Sequence, residues 1–329
     1  MIIENLKIFS LNSGKPFAEK VAAHLGRQLT DHEERAFEDG EHKIRTLESV
    51  RGKQVYIIQS LHSDSNMSVN DKLCRLLFFT GSLKEACAKK ITLLIPYLCY
   101  ARKDRKTKER DPVTTKYLAQ IIESVGTNHV VALDVHNLQA FQNSFRCYTD
   151  HLEARKLFSA YFSGILNKEE EPVIMSPDAG GMKRADEFRI SLGKKTGRDL
   201  PVIFMEKKRS SGIVSGSSNL SGDVKNRTVI IIDDLISSGT TLARAAAACK
   251  DSGAVKVYAA ATHPVFSSKA NENLKSDALD KIVVTNSVPF TGIDQDCQSR
   301  IEILDTSFLF SECIKRIHLN DSVTEMLRD

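Results

Sequence analysis

The sequence predicts an α/β protein made of two similar doubly wound parallel-sheet domains, and three observations carry that prediction. Apolar β-branched runs such as Val229-Ile230-Ile231-Ile232 have the continuous hydrophobicity of strands buried on both faces. The most informative of these runs lead at once into a polar loop and then a helix-forming stretch, the order of a βα unit. The succession of strand, acidic-plus-glycine loop and helix begins again near residue 150, so the 329 residues read as two halves.

Composition excludes more than it assigns. Hydrophobic residues make up 41% of the chain and charged residues 27%, the balance of a soluble globular protein. Lys plus Arg number 46 and Asp plus Glu 42, and the resulting +4 does not by itself imply nucleic-acid binding. The seven scattered cysteines show no CxxC spacing and read as buried thiols of a reducing compartment, not as a disulfide or zinc framework. No run approaches the ~20 apolar residues of a membrane helix. The N-terminus lacks a basic region leading into a long apolar run. A cytoplasmic protein is expected.

Taken in order, 6–11 is a short strand, Asn12-Ser13-Gly14 a turn and 15–25 a helix. Phe37-Glu38-Asp39-Gly40-Glu41 precedes a charged alternating segment at 42–47. On these residues alone it is a surface turn, Asp-Gly being a common turn pair. A buried strand is expected at 55–59, and a helix at 69–89 with Leu73, Leu76, Leu77 and Leu83 on its apolar side. The next strand, 91–96, ends in proline. Six cations then lie between 102 and 110. Such a run is ordinarily solvated, but its place at a strand's carboxyl end favours a polyphosphate. A helix at 112–125 and a strand at 130–133 lead to Asp134-Val135-His136-Asn137. A histidine at a strand end is more often a structural hydrogen-bonder than a ligand.

In the second half, a helix at 153–166 and a strand at 173–175 precede Ser176-Pro177-Asp178-Ala179-Gly180-Gly181. Small residues there let backbone amides approach a pyrophosphate with no Cβ in the way. A strand at 202–206 leads to Lys207-Lys208-Arg209 and then a Ser/Gly-rich segment, 210–224. That segment cannot build a core and reads as a lid that closes its cations over polyphosphate. The stretch from Val229 to Thr241 follows. Asp233 and Asp234 stand at the strand end, suited to accept from sugar hydroxyls or to face a metal. Ser237-Ser238-Gly239-Thr240-Thr241 lies between that end and an alanine-rich helix at 241–252. Unpaired amides, side-chain hydroxyls and the helix dipole all favour a phosphate there. Strands at 255–261, 282–285 and 301–304 and helices at 307–318 and 321–328 complete the chain.

The stretch from Asp233 to Thr241 resembles the 5-phosphoribosyl-diphosphate loop of the type I phosphoribosyltransferase fold. Other tracts are similar to the ribose-phosphate pyrophosphokinase family: Tyr100-Ala101-Arg102-Lys103-Asp104-Arg105, Asp134-Val135-His136, Ser176 to Gly181 with Lys183-Arg184-Ala185, and Ala261-Thr262-His263. The resemblance runs from about Leu6 to about Leu309. It implies two domains of the type I phosphoribosyltransferase kind, 1–150 joined by a returning C-terminal helix, 307–329, and 151–306. The implied reaction transfers the β,γ-diphosphoryl group of MgATP to the 1-hydroxyl of ribose 5-phosphate.

The same resemblance assigns Phe37, Asp39, Glu41, Arg102, Lys103 and His136 to ATP. Asp233, Asp234, Ser237, Ser238, Gly239, Thr240 and Thr241 go to ribose 5-phosphate. Asp178, Ala179, Gly180 and Gly181 form the pyrophosphate loop, His136 and Asp178 face Mg2+, and Lys207 and Arg209 are catalytic. His263 is at most a supporting group. A homo-oligomer built from dimers is implied (dimer, tetramer or hexamer), with no nucleic-acid or membrane partner. Lys103 replaces a frequent Gln, and Leu138 to Phe145 departs from the family's usual tract. A single-domain phosphoribosyltransferase would share the loop but would not need Arg102, His136 and the lid cations.

Cations that dock only when a lid closes act on the transition state more than on the ground state. Lys207→Ala and Arg209→Ala should each lower kcat by about two to three decades, far more than they raise either KM. Lys208 points away if the segment is extended, and its alanine variant should keep most of the activity. Near-normal kcat with raised KM in the first two variants would show recruitment of substrate, not transition-state stabilisation.

Overall fold

The computed structural model describes residues 5–167, 171–206, 219–290 and 292–327. Backbone contacts divide the chain into two compact units, one running to Glu153 and resuming at Thr306, the other Ala154–Asp305.

The first unit contains β1 (Leu6–Ser10), α1 (Lys15–His24), β2 (His32–Ala36), β3 (His42–Thr46), β4 (Gln54–Ile58), α2 (Val69–Glu85), β5 (Lys90–Ile95), α3 (Thr114–Ser124), β6 (His129–Leu133), α4 (Leu138–Ser144) and β7 (Tyr148–Leu152). Its sheet has the order β1-β4-β5-β6-β7, every pair parallel. Alternation sends Phe9, Val55, Ile57, Leu93, Ile95, Val130 and Ala132 into one core with Leu76, Phe79 and Leu83 of α2 and Leu118 and Ile122 of α3. Against α1 pack the C-terminal helices' Phe310 and Ser307, through a Phe17–Phe310 ring contact at 5.5 Å and a His24 Nε2 to Ser307 Oγ hydrogen bond of 3.2 Å. β2 and β3 pair antiparallel as a sheet of their own.

The second unit contains α5 (Arg155–Ile165), β8 (Pro172–Ser176), α6 (Met182–Thr196), β9 (Val202–Glu206), β10 (Asn219–Leu220), β11 (Thr228–Ile236), α7 (Thr240–Asp251), β12 (Lys256–Pro264), α8 (Ala270–Leu274), β13 (Lys281–Thr285), α9 (Gln295–Gln298) and β14 (Ile301–Leu304). α10 (Ser307–Leu319) and α11 (Val323–Leu327) return to the first unit. The sheet order is β10-β9-β8-β11-β12-β13-β14, parallel except for the short β10. From β8 the chain crosses by α6 to β9 on one side, and from β11 by α7 to β12 on the other. The strand order therefore reverses between β8 and β11, the kind of switch point at which open α/β sheets bind ligands.

Several elements differ from the sequence expectation. α2 stops at Glu85, four residues early, because Cys87 takes a positive φ of 64° and turns the chain into β5. α4 and β7 are additional. α4 is only 7 residues long and starts on an Asn137 side-chain cap to the Ala140 amide, 3.1 Å. β7 is a half-polar edge strand with no hydrophobic run to mark it. β11 and β12 each run past their apolar cores, to Ile236 and Pro264. All seven cysteines are free, and Cys74 and Cys87 are exposed, against the expectation of buried thiols. Among the described residues no helix is long and apolar enough to cross a membrane.

One buried charge stands out in the first unit. Lys72, on the first turn of α2 behind a Ser68/Asp71 capping box, is fully buried. Its ammonium donates to Asp64 and lies 3.2 Å from His62 Nε2. Burial alone would raise the Asp64 carboxyl, but hydrogen bonds from Lys72 and the Asn66 and Met67 amides outweigh it and bring the group to about 2. Burial, then the Lys72 charge, pushes His62 down to about 4. A buried pair is costly to break on one side, since the survivor keeps its desolvation penalty. Lys72→Ala should therefore cost about 3–5 kcal/mol in urea unfolding, and the Lys72→Met/Asp64→Asn pair should recover most of that. The Asp64 contribution is present above its unfolded value and should be lost as pH falls from about 4 towards 2.

Candidate active site

The reversal between β8 and β11 positions the acidic pair. β11 pairs with β8 only as far as Ile231↔Met175, but with β12 it continues through Asp233↔Ala261 and Leu235↔His263 to Ile236↔Pro264. Asp233 and Asp234 thus lie near the strand's carboxyl end, as the sequence suggested, with the strand running on to Ile236, on a stretch that has lost one neighbour and kept the other. Asp234 is buried, and Asp233 keeps its side chain 32% exposed. The Asp234 amide donates to Asp233 Oδ1 at 2.9 Å.

Arg184, on the first turn of α6, reaches both carboxylates, 3.6 Å to Asp233 Oδ1 and 3.5 Å to Asp234 Oδ1. Burial, and then the neighbouring Asp234 charge, raise the Asp233 carboxyl well above the usual range, with Arg184 opposing. No role was assigned to Arg184 from sequence. Its signal is a cation one turn into the helix that follows a glycine loop.

The loop after β11 rises into α7. Gly239 caps the helix with φ 74°, and an added Cβ would lie 2.9 Å from Leu274 Cδ2, so only glycine fits there. Ser238 and Thr240 hydroxyls are 3.0 Å apart, and the exposed Thr240 and Thr241 open the first turn of the helix. The Ser237 carbonyl accepts from the Ser267 amide at 3.1 Å. A left-handed residue leading into a helix turns successive amides to one side, a concavity suited to an anion.

The second glycine loop is closed on itself. Asp178 Oδ1 accepts from the Gly180 amide at 2.9 Å and the Gly181 amide at 3.3 Å. These are the amides expected to face a diphosphate, and here a local carboxylate satisfies them. Ser176 Oγ donates to the Asp178 carbonyl, and a Cβ on Gly181 would lie 2.6 Å from that oxygen. Ala179 is exposed. His263 is buried, its Nδ1 2.9 Å from Ser287 Oγ, and behaves as a structural hydrogen-bonder.

The other residues singled out from sequence belong, among the described ones, to the first unit. Phe37, 43% exposed, follows β2 in the β2–β3 turn, with the Arg35 guanidinium 5.4 Å from its ring centroid. Asp39 Oδ1 accepts from the Glu41 amide at 3.0 Å, and Gly40 takes φ 91°. Arg102 and His136 are exposed. Lys103 has a structural tie: its ammonium donates to Asp111 Oδ2 at 2.7 Å and Thr107 Oγ1 at 3.2 Å. Asp111 also accepts from Thr107 and the Lys108 amide, and these bonds hold its carboxyl below the usual range. Asn137 Nδ2 donates to Asp104 Oδ2 at 2.6 Å, joining the basic tract to the turn that carries His136. The sequence reading missed Asp111 and Asn137, which fold the basic tract. Lys207, Lys208 and Arg209 lie outside the described residues.

Among the described residues no cluster of three or more His, Cys, Asp or Glu side chains is placed to hold a metal ion. Magnesium keeps several waters and commonly takes one or two carboxylates plus substrate phosphates. The partly buried Asp178 carboxylate of the second unit fits as one such donor.

Two family descriptions match the chain: the N-terminal domain of ribose phosphate pyrophosphokinase over residues 6–126, and the phosphoribosyl synthetase-associated domain over 194–328. A ribose-phosphate pyrophosphokinase of Fusobacterium nucleatum is 39% identical over 322 residues, covering 98% of each chain. One from Caldanaerobacter subterraneus is 39% identical over 324 residues, again 98% of each. A crystal structure of phosphoribosylpyrophosphate synthetase from Mycobacterium smegmatis matches with a TM-score of 0.87 and 32% identity, over 96% of this chain and 100% of the other.

Arg184 is the cation that opposes the rise of the Asp233 carboxyl. Arg184→Gln should move the Asp233 titration, read by carboxyl carbon chemical shift, to higher pH, and Arg184→Lys should move it less. An unchanged titration in the glutamine variant would show that the guanidinium does not bias the pair.

Proposed function

This chain belongs to the ribose-phosphate pyrophosphokinase family, and on that basis we propose how its residues divide the work. The reaction transfers the β,γ-diphosphoryl group of ATP to the 1-hydroxyl of ribose 5-phosphate, giving AMP and 5-phospho-α-D-ribosyl 1-diphosphate. Both domains are of the type I phosphoribosyltransferase kind. The assignment rests on one observation: two carboxylates on a half-paired strand lead directly into a glycine-capped anion loop.

Ser237, Ser238, Gly239, Thr240 and Thr241 hold the 5-phosphate through hydroxyls and outward amides. Asp233 and Asp234 accept from the ribose hydroxyls and fix the sugar, with Arg184 Nη1 within 3.6 Å of both carboxylates. A sugar so held presents its anomeric hydroxyl for in-line attack, and positioning accounts for much of phosphoryl-transfer catalysis. Phe37 stacks on the adenine, with Asp39 and Glu41 at its polar edge. Arg102, with Lys103 beside it, binds the triphosphate, and the Asp178 to Gly181 loop receives the diphosphate, its amides exchanging the Asp178 carboxylate for phosphate oxygens.

Lys207 and Arg209 neutralise charge as the bond to AMP breaks. The metal cofactor would be Mg2+, for which His136 and Asp178 would be the protein donors beside the substrate phosphates. Bound there it supplies charge neutralisation on the polyphosphate. The exposed Phe37 turn completes the site of a neighbouring subunit in a homo-oligomer built from dimers. The domains are 1–150 with the returning 307–329, and 151–306, in a cytoplasmic enzyme.

AMP formation from ATP should depend strictly on ribose 5-phosphate. Asp234→Asn should lower kcat/KM for ribose 5-phosphate about ten- to hundredfold, the worth of a charge-assisted hydrogen bond. ATP consumption that ignores the sugar phosphate would refute the assignment. Light scattering on the purified protein reads the oligomer, and a monomer would end the shared-site reading.

A further inference from the structure

Three successive carbonyls of the loop between β11 and α7 are already committed. The Ser237 carbonyl accepts from the Ser267 amide at 3.1 Å, and the Gly239 carbonyl accepts from the Ala243 amide within the helix at 2.9 Å. The Ser238 carbonyl, between them, accepts from a side chain: Asn273 Nδ2, at 2.7 Å. The same amide nitrogen lies 3.1 Å from Thr240 Oγ1 and 3.2 Å from the Lys269 carbonyl of its own turn. Asn273 stands on α8, whose Leu274 is fully buried beneath Gly239. The segment from Ser267 to Leu274 thus forms a backing for the loop.

An anion loop works only if it shows the anion donors and no lone pairs. Carbonyl oxygens left to rotate would offer the phosphate a repulsive partner, and a glycine at φ 74° has no Cβ to restrict the peptide that precedes it. Asn273 removes that freedom for the Ser238 peptide, whose amide half leads into the Gly239 turn. Its second effect is on a hydroxyl. Thr240 Oγ1 receives an N–H from Asn273, which fills an acceptor position on that oxygen and favours donation of its own proton. Ser238 Oγ in turn accepts from the Thr240 amide at 3.4 Å.

We propose that Asn273 is a positioning residue for the ribose 5-phosphate site. Its amide holds the Ser238 carbonyl and the Thr240 hydroxyl from behind, so that the loop presents only donors to the 5-phosphate. The inference rests on the assignment of this loop to ribose 5-phosphate. Nothing in the sequence points to it, since Asn273 lies 35 residues from Ser238 in a tract without a motif.

The test compares Asn273→Ala and Asn273→Asp with the parent, as intact chains. The alanine variant loses the donor. The aspartate variant keeps the shape but turns an oxygen towards the Ser238 carbonyl and adds a negative charge behind the phosphate. KM for ribose 5-phosphate, and its Kd by titration calorimetry, should rise about tenfold in the first and further in the second. KM for ATP, kcat at saturation and the melting temperature should stay close to the parent's. A Kd and KM for ribose 5-phosphate within about twofold of the parent in both variants overturn the inference. So does a joint loss of kcat, both KM values and thermal stability in both variants, which marks a general packing role. A parent that forms no AMP with ribose 5-phosphate refutes the functional assignment itself; an active parent with unmoved variants refutes only the role of Asn273.

Discussion

The second unit depends on a mismatch of ladder lengths. β11 is paired on both sides up to Ile231 and on one side only from there to Ile236. A fully paired strand in a parallel sheet is buried on both faces and tolerates little but apolar side chains. A strand with no partners would not hold two carboxylates to a fixed geometry. The half-paired extension meets both needs: β12 fixes the backbone of Asp233 and Asp234, while the side vacated by β8 leaves room for Arg184, the glycine loop and a ligand. The crossover reversal between β8 and β11 produces this gap, so topology fixes its place before any side chain is chosen.

Charge balance at the gap follows from the same arrangement. Burial and the adjacent Asp234 charge raise the affinity of Asp233 for protons, and a single guanidinium at 3.5–3.6 Å offsets part of that cost. The residual strain in ionisation is not waste, because the pair is poised to gain hydrogen-bond donors. On the assignment proposed above, sugar hydroxyls supply them and the adjacent loop takes the phosphate.

Much of this was legible in sequence because it is written in local runs. Val229 to Thr241 encodes strand, carboxylates, glycine turn and helix without interruption, and each residue type has a separate physical reason to be there. What sequence did not show is carried by long-range contacts. Arg184 joins Asp233 across 49 positions in number, and Asn137 reaches back to Asp104. Lys103 looked like a ligand group by position, yet its ammonium is tied to Asp111, an anchor that no local pattern announces. β7 was invisible because Tyr148–Leu152 is half polar, and the return of α10 to the first unit is fixed by packing on α1. Lys207 and Arg209 rest on the sequence argument alone.

The two units, compared by register, explain why the sugar-phosphate loop occurs once. Each first strand ends in a serine whose hydroxyl lies under the glycine of a following turn: a Cβ on Gly14 would lie 2.8 Å from Ser10 Oγ, and on Gly181 2.6 Å from Ser176 Oγ. Ser10 pairs with Ile58, and Met175 with Ile231, so Gln59 and Ser60 occupy the places of Asp233 and Asp234. Gln59 is fully buried and turns its amide inward, to Ser13 Oγ at 3.0 Å and the Ser60 carbonyl at 2.9 Å. Lys72, Asp64 and His62 then pack the tract that would otherwise be a loop for an anion. The decisive difference is topological. In the second unit β9 and β10 join the sheet beside β8, whereas β2 and β3 leave β1 as an edge and pair only with each other. Without a strand beyond β1 the strand order does not reverse beside β4. The hairpin so released carries Phe37 exposed on a turn fixed by Asp39 and Gly40.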